Sequence, residues 1–227
     1  MISALQLVRL MQLASPTLPV GAYSYSQGLE WAVDSGTVRD APTAQRWIGD
    51  LLAHVHAHGE AAVLYRLCVL ARDEDWQRFA HWHTWFRASR ETAELEAETR
   101  QMGGALARLL RDLAALDDAA ATAVEHCAPI MLPGAFALAA RAFGLMPDEV
   151  VTAYLWSWME NQVLAAMKTV PLGQVAGQRM LLSLGEAIPV AVASARDCAD
   201  GDLTSFAPGL ALASARHETQ YSRLFRS

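Results

Sequence analysis

The sequence predicts an all-α fold. Apolar residues recur at helical spacing through most of the chain, Ala and Leu abound, and no run of alternating β-branched residues marks a strand. Hydrophobic residues make up 53% of the 227 and charged ones 19%, which supports a substantial core and argues against disorder. No linker, internal repeat or low-complexity stretch divides the chain, so 1–227 reads as one domain.

The elements follow in order. Residues 2–14 form a first helix, stopped by Pro16 and Pro19. Ser24, with Gln27 three residues on, has the form of a capping box opening a second helix that Gly36 closes. Asp40 caps a third, with Pro42 tolerated in its first turn. Further helices cover 60–72, 74–88, 91–115 and 118–126, and Pro133-Gly134 opens a short one that reaches Gly144. Pro147-Asp148-Glu149 starts a long helix to Lys168, with Pro171 beyond its end. The last clear helix, 173–195, contains Pro189, which should kink or shorten it. At ordinary helix lengths this amounts to a single-domain bundle of roughly ten helices.

The long helix, "DEVVTAYLWSWMENQVLAAMK" at 148–168, is apolar on nearly every side, as expected of a helix buried in the middle of a bundle or against a partner. Gly173 and Gly177, four residues apart, would allow close backbone approach.

Composition narrows the functional classes. The net charge of −6 and the lack of any Lys/Arg block argue against nucleic acid as a partner. Cys68, Cys127 and Cys198 are far apart and form no C-x-x-C pair, so neither a disulfide framework nor a zinc ribbon is indicated. The first residues lack the basic region of a signal peptide. The longest apolar stretches are broken by Arg141, by "ENQ" at 160–162 and by Glu186. None reaches the roughly 20 apolar residues that span a bilayer. The expectation is a soluble cytoplasmic protein that does not engage membranes. There is no G-x-x-x-x-G-K-[ST] phosphate loop and no G-x-S-x-G elbow.

"HVHAHG" at 54–59 invites a metal reading. On a helix His54 and His58 are neighbours, while His56 points roughly 200° away. Two histidines so spaced can begin a zinc or nickel site, but no H-E-x-x-H or nearby carboxylate pair completes one. The favoured reading is solvated or packed histidines. The alternative is an all-α metal carrier built on His54, His56 and His58. His81 and His83, beside Trp82 and Trp85, read in the same way. Glu160 could act as a base raised by burial, yet no paired acid or nucleophile accompanies it, and the structural reading is favoured. Lys168 suits the negative end of its helix dipole. The end of the sequence, "SARHETQYSRLFRS" at 214–227, mixes aromatics and arginines; if helical, His217, Tyr221, Leu224 and Phe225 share a stripe with Arg223 and Arg226 beside it.

Four segments together resemble the urease accessory protein F family, maturation factors for a nickel enzyme. They are "SPTLPVGAYSYSQGLEWA" at 15–32, "ETRQMGGAL" at 98–106, "AYLWSWMENQVLAAMKTVPLGQVAGQR" at 153–179 and "RHETQYSRLFRS" at 216–227. Ala22 departs mildly from the pattern, where a second glycine is common after Gly21. The resemblance implies an all-helical, non-enzymatic, usually dimeric scaffold with no catalytic residue, metal site or cofactor of its own. It binds the accessory protein called D or H and recruits the nickel-carrying GTPase, accessory protein G, to apo-urease, leaving nickel and GTP to its partners. The resemblance also places Tyr23, Ser24, Tyr25, Ser26, Gly28 and Glu30 near a dimer or GTPase contact. Lys168, Gln174, Gly177 and Gln178 fall on a face governing GTPase engagement. His217, Glu218, Gln220, Tyr221, Arg223, Leu224, Phe225 and Arg226 fall in the segment that docks on the D/H-type partner.

Overall fold

The computed structural model describes residues 2–227, and the regular structure among them is entirely helical. Twelve α-helices follow one another: α1 (Ala4–Ala14), α2 (Leu29–Asp34), α3 (Ala41–Asp50), α4 (Glu60–Arg72), α5 (Trp76–Ala88), α6 (Ala93–Asp112), α7 (Asp118–His126), α8 (Leu132–Ala142), α9 (Pro147–Thr169), α10 (Gln174–Gly185), α11 (Ile188–Asp197) and α12 (Pro208–His217). Short 3-10 turns cover Ala22–Ser24 and Asp200–Asp202, and a π-helical segment covers Leu51–His56.

Local chemistry accounts for most boundaries. Ser3 and Gln6 cap α1 reciprocally, and Asp40 with Thr43 does the same for α3, whose Pro42 sits in the first turn where no amide donor is needed. Thr92 and Asp117 cap α6 and α7 by accepting from Leu95 and Ala120 amides. Pro189 splits 173–195 into α10 and α11 and occupies the first turn of the second helix. That split, with α12 added near the end, raises the helix number above the sequence estimate.

The second helix starts later than its sequence implied. Ser24 caps nothing; it closes a 3-10 turn, and α2 begins only at Leu29. Between them Gln27 and Gly28 take left-handed conformations, φ 52° and 76°. Gly28 meets a second demand, because a Cβ there would stand 3.0 Å from both the Ala213 side chain and the Ser214 amide of α12. Gly36, at φ 75°, ends the helix as expected. Ala22 follows left-handed Gly21 but is not itself left-handed, so alanine fits there without strain.

Helix α9 runs through the middle of the molecule and packs against α1, α4, α10 and α11. Only Thr152, Leu164 and Lys168 of its residues are exposed, as its all-round apolar sequence predicts. On its far side α4 leans on α8, and α8 on α6. Ala135, Ala137, Ala139 and Ala140 of α8 are all buried, and such small side chains let helix axes approach. The tightest approach to backbone is at Gly103 of α6, where a Cβ would lie 2.5 Å from the Ile130 carbonyl oxygen and 2.6 Å from the Leu132 amide. At Gly177 the close neighbour is the Met167 side chain rather than backbone, and Gly173 faces open space, so these two glycines do not mediate backbone contact.

Gly103→Ala must push two backbones apart. We expect it to destabilise the chain by about 2 kcal/mol or more, the cost of overpacking against atoms that cannot rotate away. A lower urea midpoint checks this.

Two histidines are folded inside as neutral rings. His83 accepts the Met131 amide at 2.9 Å, and His56 lies tilted against Trp158, with neither ring nitrogen hydrogen-bonded and its Nδ1 4.0 Å from Glu60. Burial pushes each down to about 4. The unfolded imidazole titrates near 6.5, so below that pH the unfolded chain takes up protons first. Their contribution is intact above about 6.5 and is lost as pH falls towards 4, by roughly 3 kcal/mol for a shift of that size. His56→Phe keeps a ring on Trp158 and removes this titration. Its urea midpoint should fall less than that of the unaltered chain between pH 6.5 and 4.

Candidate interaction surface

The four sequence segments that carry the family resemblance meet in space. Residues 218–227 lie beyond the end of α12 and are not helical, so the stripe expected of a helical tail does not form. They run instead as an irregular strap of turns and bends across the turn that precedes α2. His217 and Phe225 face inward, while Tyr221 and Leu224 point out, at 106% and 72% exposure.

An irregular strap on a helical bundle has neither helix nor sheet partners for its amides, so acceptors must be supplied singly. The Glu30 carboxylate in the first turn of α2 supplies two. Its Oε1 accepts the Leu224 amide at 2.7 Å and its Oε2 the Phe225 amide at 3.0 Å. The Ser24 carbonyl accepts from the Arg226 amide at 2.8 Å. In return, the main-chain oxygen of Ser227 accepts from the Ser26 and Gln27 amides and from the Ser26 hydroxyl, at 2.7, 3.1 and 2.7 Å. The His217 ring bridges two helices, lying 2.7 Å from Glu94 of α6 and 3.2 Å from Glu30. Arg223 binds the other oxygen of Glu94 at 2.7 Å.

The other two segments hold the turn from beneath. Asn161 of α9 donates to the Tyr25 carbonyl at 2.9 Å, and the Tyr25 hydroxyl donates to Gln101 of α6 at 2.9 Å. Trp158 of α9 donates its indole N–H to Gln27 at 2.7 Å. The Gln27 amide then donates to Glu98 of α6 at 2.8 Å, and Glu98 also accepts from the Ser227 hydroxyl at 2.8 Å. Lys168, near the end of α9, holds its ammonium 5.4 Å from the centre of the Phe225 ring, a cation–π distance.

The residues singled out from sequence therefore divide. Tyr25, Ser26, Gly28, Glu30, His217 and Phe225 are interior and hold the strap down. Ser24 and Gln220 are half-buried. Tyr23, Lys168, Glu218, Tyr221, Arg223, Leu224 and Arg226 are exposed. Gln174, Gly177 and Gln178 stand apart on α10: Gly177 is buried against Met167, and Gln178 lines an apolar groove with Leu10, Met11, Trp156 and Leu182. Sequence reasoning passed over Gln27, Glu94, Glu98, Gln101, Trp158, Asn161 and Ser227. Most of these sit inside the matching segments, so pairing polar residues between segments was the available signal.

The histidine run does not converge. His54 is exposed, His56 is buried against Trp158, and among the described residues no group of three or more His, Cys, Asp or Glu is placed to hold a metal ion. Burial raises the Glu160 carboxyl, but it is only partly enclosed and lines a crevice with Tyr23 and Leu164.

A family model, UreF, matches residues 38–185. The chain is 53% identical over 228 residues to the urease accessory protein UreF of Dechloromonas aromatica (strain RCB), covering 99% of both chains. It is 53% identical to the urease accessory protein UreF of Azoarcus sp. (strain BH72), covering 98% of this chain and 96% of that one. With that of Cupriavidus metallidurans it shares 51% identity over 98% of each chain. This chain belongs to the UreF family. Its role is that of a non-catalytic urease accessory factor. The family model leaves out 1–37 and 186–227, which hold the turn and the strap, whereas the full-length relatives align across both. No helix among the described residues is long and apolar enough to cross a membrane.

Glu30→Ala would leave the Leu224 and Phe225 amides without their acceptor and His217 with its Glu94 contact alone. At about 1–3 kcal/mol for each buried group left unpaired, we expect the strap to open well before the bundle unfolds. Limited proteolysis should then cut within 218–227 in the variant under conditions that spare the unaltered chain.

Proposed function

We propose that this UreF-family chain is a scaffold for urease maturation. It holds the D- or H-type accessory protein and the nickel-carrying GTPase, accessory protein G, on apo-urease, and so assists nickel insertion and control of GTP hydrolysis. Nickel and GTP stay with the partners, and the assembly works in the cytoplasm. The observation that supports this reading is the convergence of all four matching segments on one tied strap, whose outer side presents Tyr221, Arg223, Leu224 and Arg226, with Tyr23 and Lys168 on the other converging segments.

Tyrosine and arginine are the side chains that most often dominate interface energetics. Fixing them in advance lowers the ordering cost of binding, because the strap is already held by the Glu30, Ser24 and Ser227 contacts. A scaffold of this kind biases its GTPase by binding one conformation better than another. A homodimer belongs to the proposal. Helix α1 turns Leu5, Val8 and Met11 outward, and Met11 also lines the apolar groove that Gln178 borders, an apolar surface suited to a second copy.

Size-exclusion chromatography tests the reading with the chain alone, then with the D/H-type protein, then with the GTPase added. The expected result is a dimer that takes up both in turn. Tyr221→Ala combined with Leu224→Ala removes two exposed side chains without touching the ties beneath, and should weaken capture of the D/H-type protein by about tenfold or more. Deleting everything after Ala215 should abolish capture. Binding at native strength after that deletion overturns the tail's part in the proposal.

A further inference from the structure

Glu98 is a buried carboxylate with no cation bonded to it among the described residues. Its Oε1 accepts from the Gln27 amide and its Oε2 from the Ser227 hydroxyl, both at 2.8 Å. Gln27 cannot reverse, because its own oxygen is held by the Trp158 indole at 2.7 Å. Its amide nitrogen therefore always faces Glu98. The Ser227 hydroxyl is different, since it can donate to a carboxylate or accept from a carboxylic acid.

Below Glu98 is a cavity of about 50 Å³ lined by Gln27, Glu60, Arg90, Tyr154 and Trp158. Several elements around it contribute charged or titratable groups, while α8 adds only Leu132. Glu60 comes from α4 and Arg90 from the turn between α5 and α6, but the guanidinium is bonded to Glu60 at 3.2 Å. Tyr154 of α9 also donates to Glu60. Tyr25 approaches from the turn, Arg226 from the strap beside it, and His56 lies behind Trp158. Two carboxylates thus share one buried guanidinium, which serves the other one.

We propose that Glu98 is a proton-operated latch for the strap: as the neutral acid it keeps residues 222–227 closed on the Ser24–Glu30 turn, and as the anion it lets them open. A hydrogen bond between Glu98 and Ser227 is available in both states, so the difference lies in charge. Closed, the anion is buried beside Glu60 without a counter-ion; open, it is fully hydrated. Burial pushes the Glu98 carboxyl up to about 7 in the closed form, against about 4.5 for a hydrated one. The closed form holds its proton more tightly, so opening is favoured as pH rises from 4.5 to 7 and levels off above.

Hydrogen exchange on the intact chain between pH 5 and 8, corrected for the intrinsic pH dependence of exchange, reads this opening. The amides to follow are those of 224–226, with Ser26 and Gln27, all of which are bonded across the joint. Their opening should increase by roughly tenfold per pH unit between about 5 and 7, then flatten. Glu98→Gln reproduces the neutral acid: its carbonyl accepts from Gln27 and its amide donates to Ser227. That variant should stay closed with no pH dependence, while His217, Glu30 and Glu94 remain in place. Opening that is independent of pH in the unaltered chain overturns the proposal, and that profile requires no variant to fold. A pH dependence retained in full by Glu98→Gln overturns it too, by assigning the titration to another group.

Discussion

The carboxylate of Glu30 is the tie on which the seating of the strap depends. Ten residues follow α12 without helix or sheet, and their amides need acceptors that a helical bundle does not normally offer. Glu30 accepts from two consecutive strap amides and also meets the His217 ring. It can do so only because α2 begins at Leu29, which requires the left-handed pair Gln27-Gly28 immediately before it. Non-glycine residues rarely hold such a conformation without compensation. At Gln27 the compensation is visible, with main-chain and side-chain bonds to Ser227, Trp158 and Glu98.

The bundle beneath serves as a rigid base for that face. Helix α9 brings Trp158 and Asn161 to the turn and Lys168 to the strap, while α6 brings Glu94, Glu98 and Gln101. The relative placement of these two helices runs through α8, which packs against α6 at Gly103 and against α4, itself a neighbour of α9. Packing of this density transmits small displacements rather than absorbing them. A change at Gly103, remote in sequence from the strap, is therefore a change to the frame that carries Glu98 and Gln101.

Much of the fold was legible in the sequence because helical spacing, caps and prolines act locally. Asp40, Pro147, Pro171 and Gly36 mark boundaries within a residue or two of those found. The start of α2 was misread because "SYSQG" satisfies a capping pattern while its serines serve a partner some 200 residues away; Ser26 pairs with Ser227 at a separation of 201. The tail was misread for a related reason, since helical spacing of His217, Tyr221 and Phe225 says nothing about competing acceptors on Glu30. Burial was the other hidden variable. The tyrosines of "AYSYS" look equivalent in sequence, yet Tyr23 is exposed and Tyr25 is interior with its hydroxyl on Gln101. The histidine run divides on the same ground: the π-helical segment turns His56 inward and leaves His54 outside.

The long sequence separation across the strap also bears on the order of synthesis. Residues 24–30 emerge early and the helices that frame them follow, but the partners of Ser26, Gln27 and Glu30 are residues 217–227. A nascent chain can thus assemble much of its core before this face exists, because domains begin folding from the end made first. A chain interrupted during translation would be helical and compact yet would not present the face. The strap can be seated only once residues 217–227 have been made.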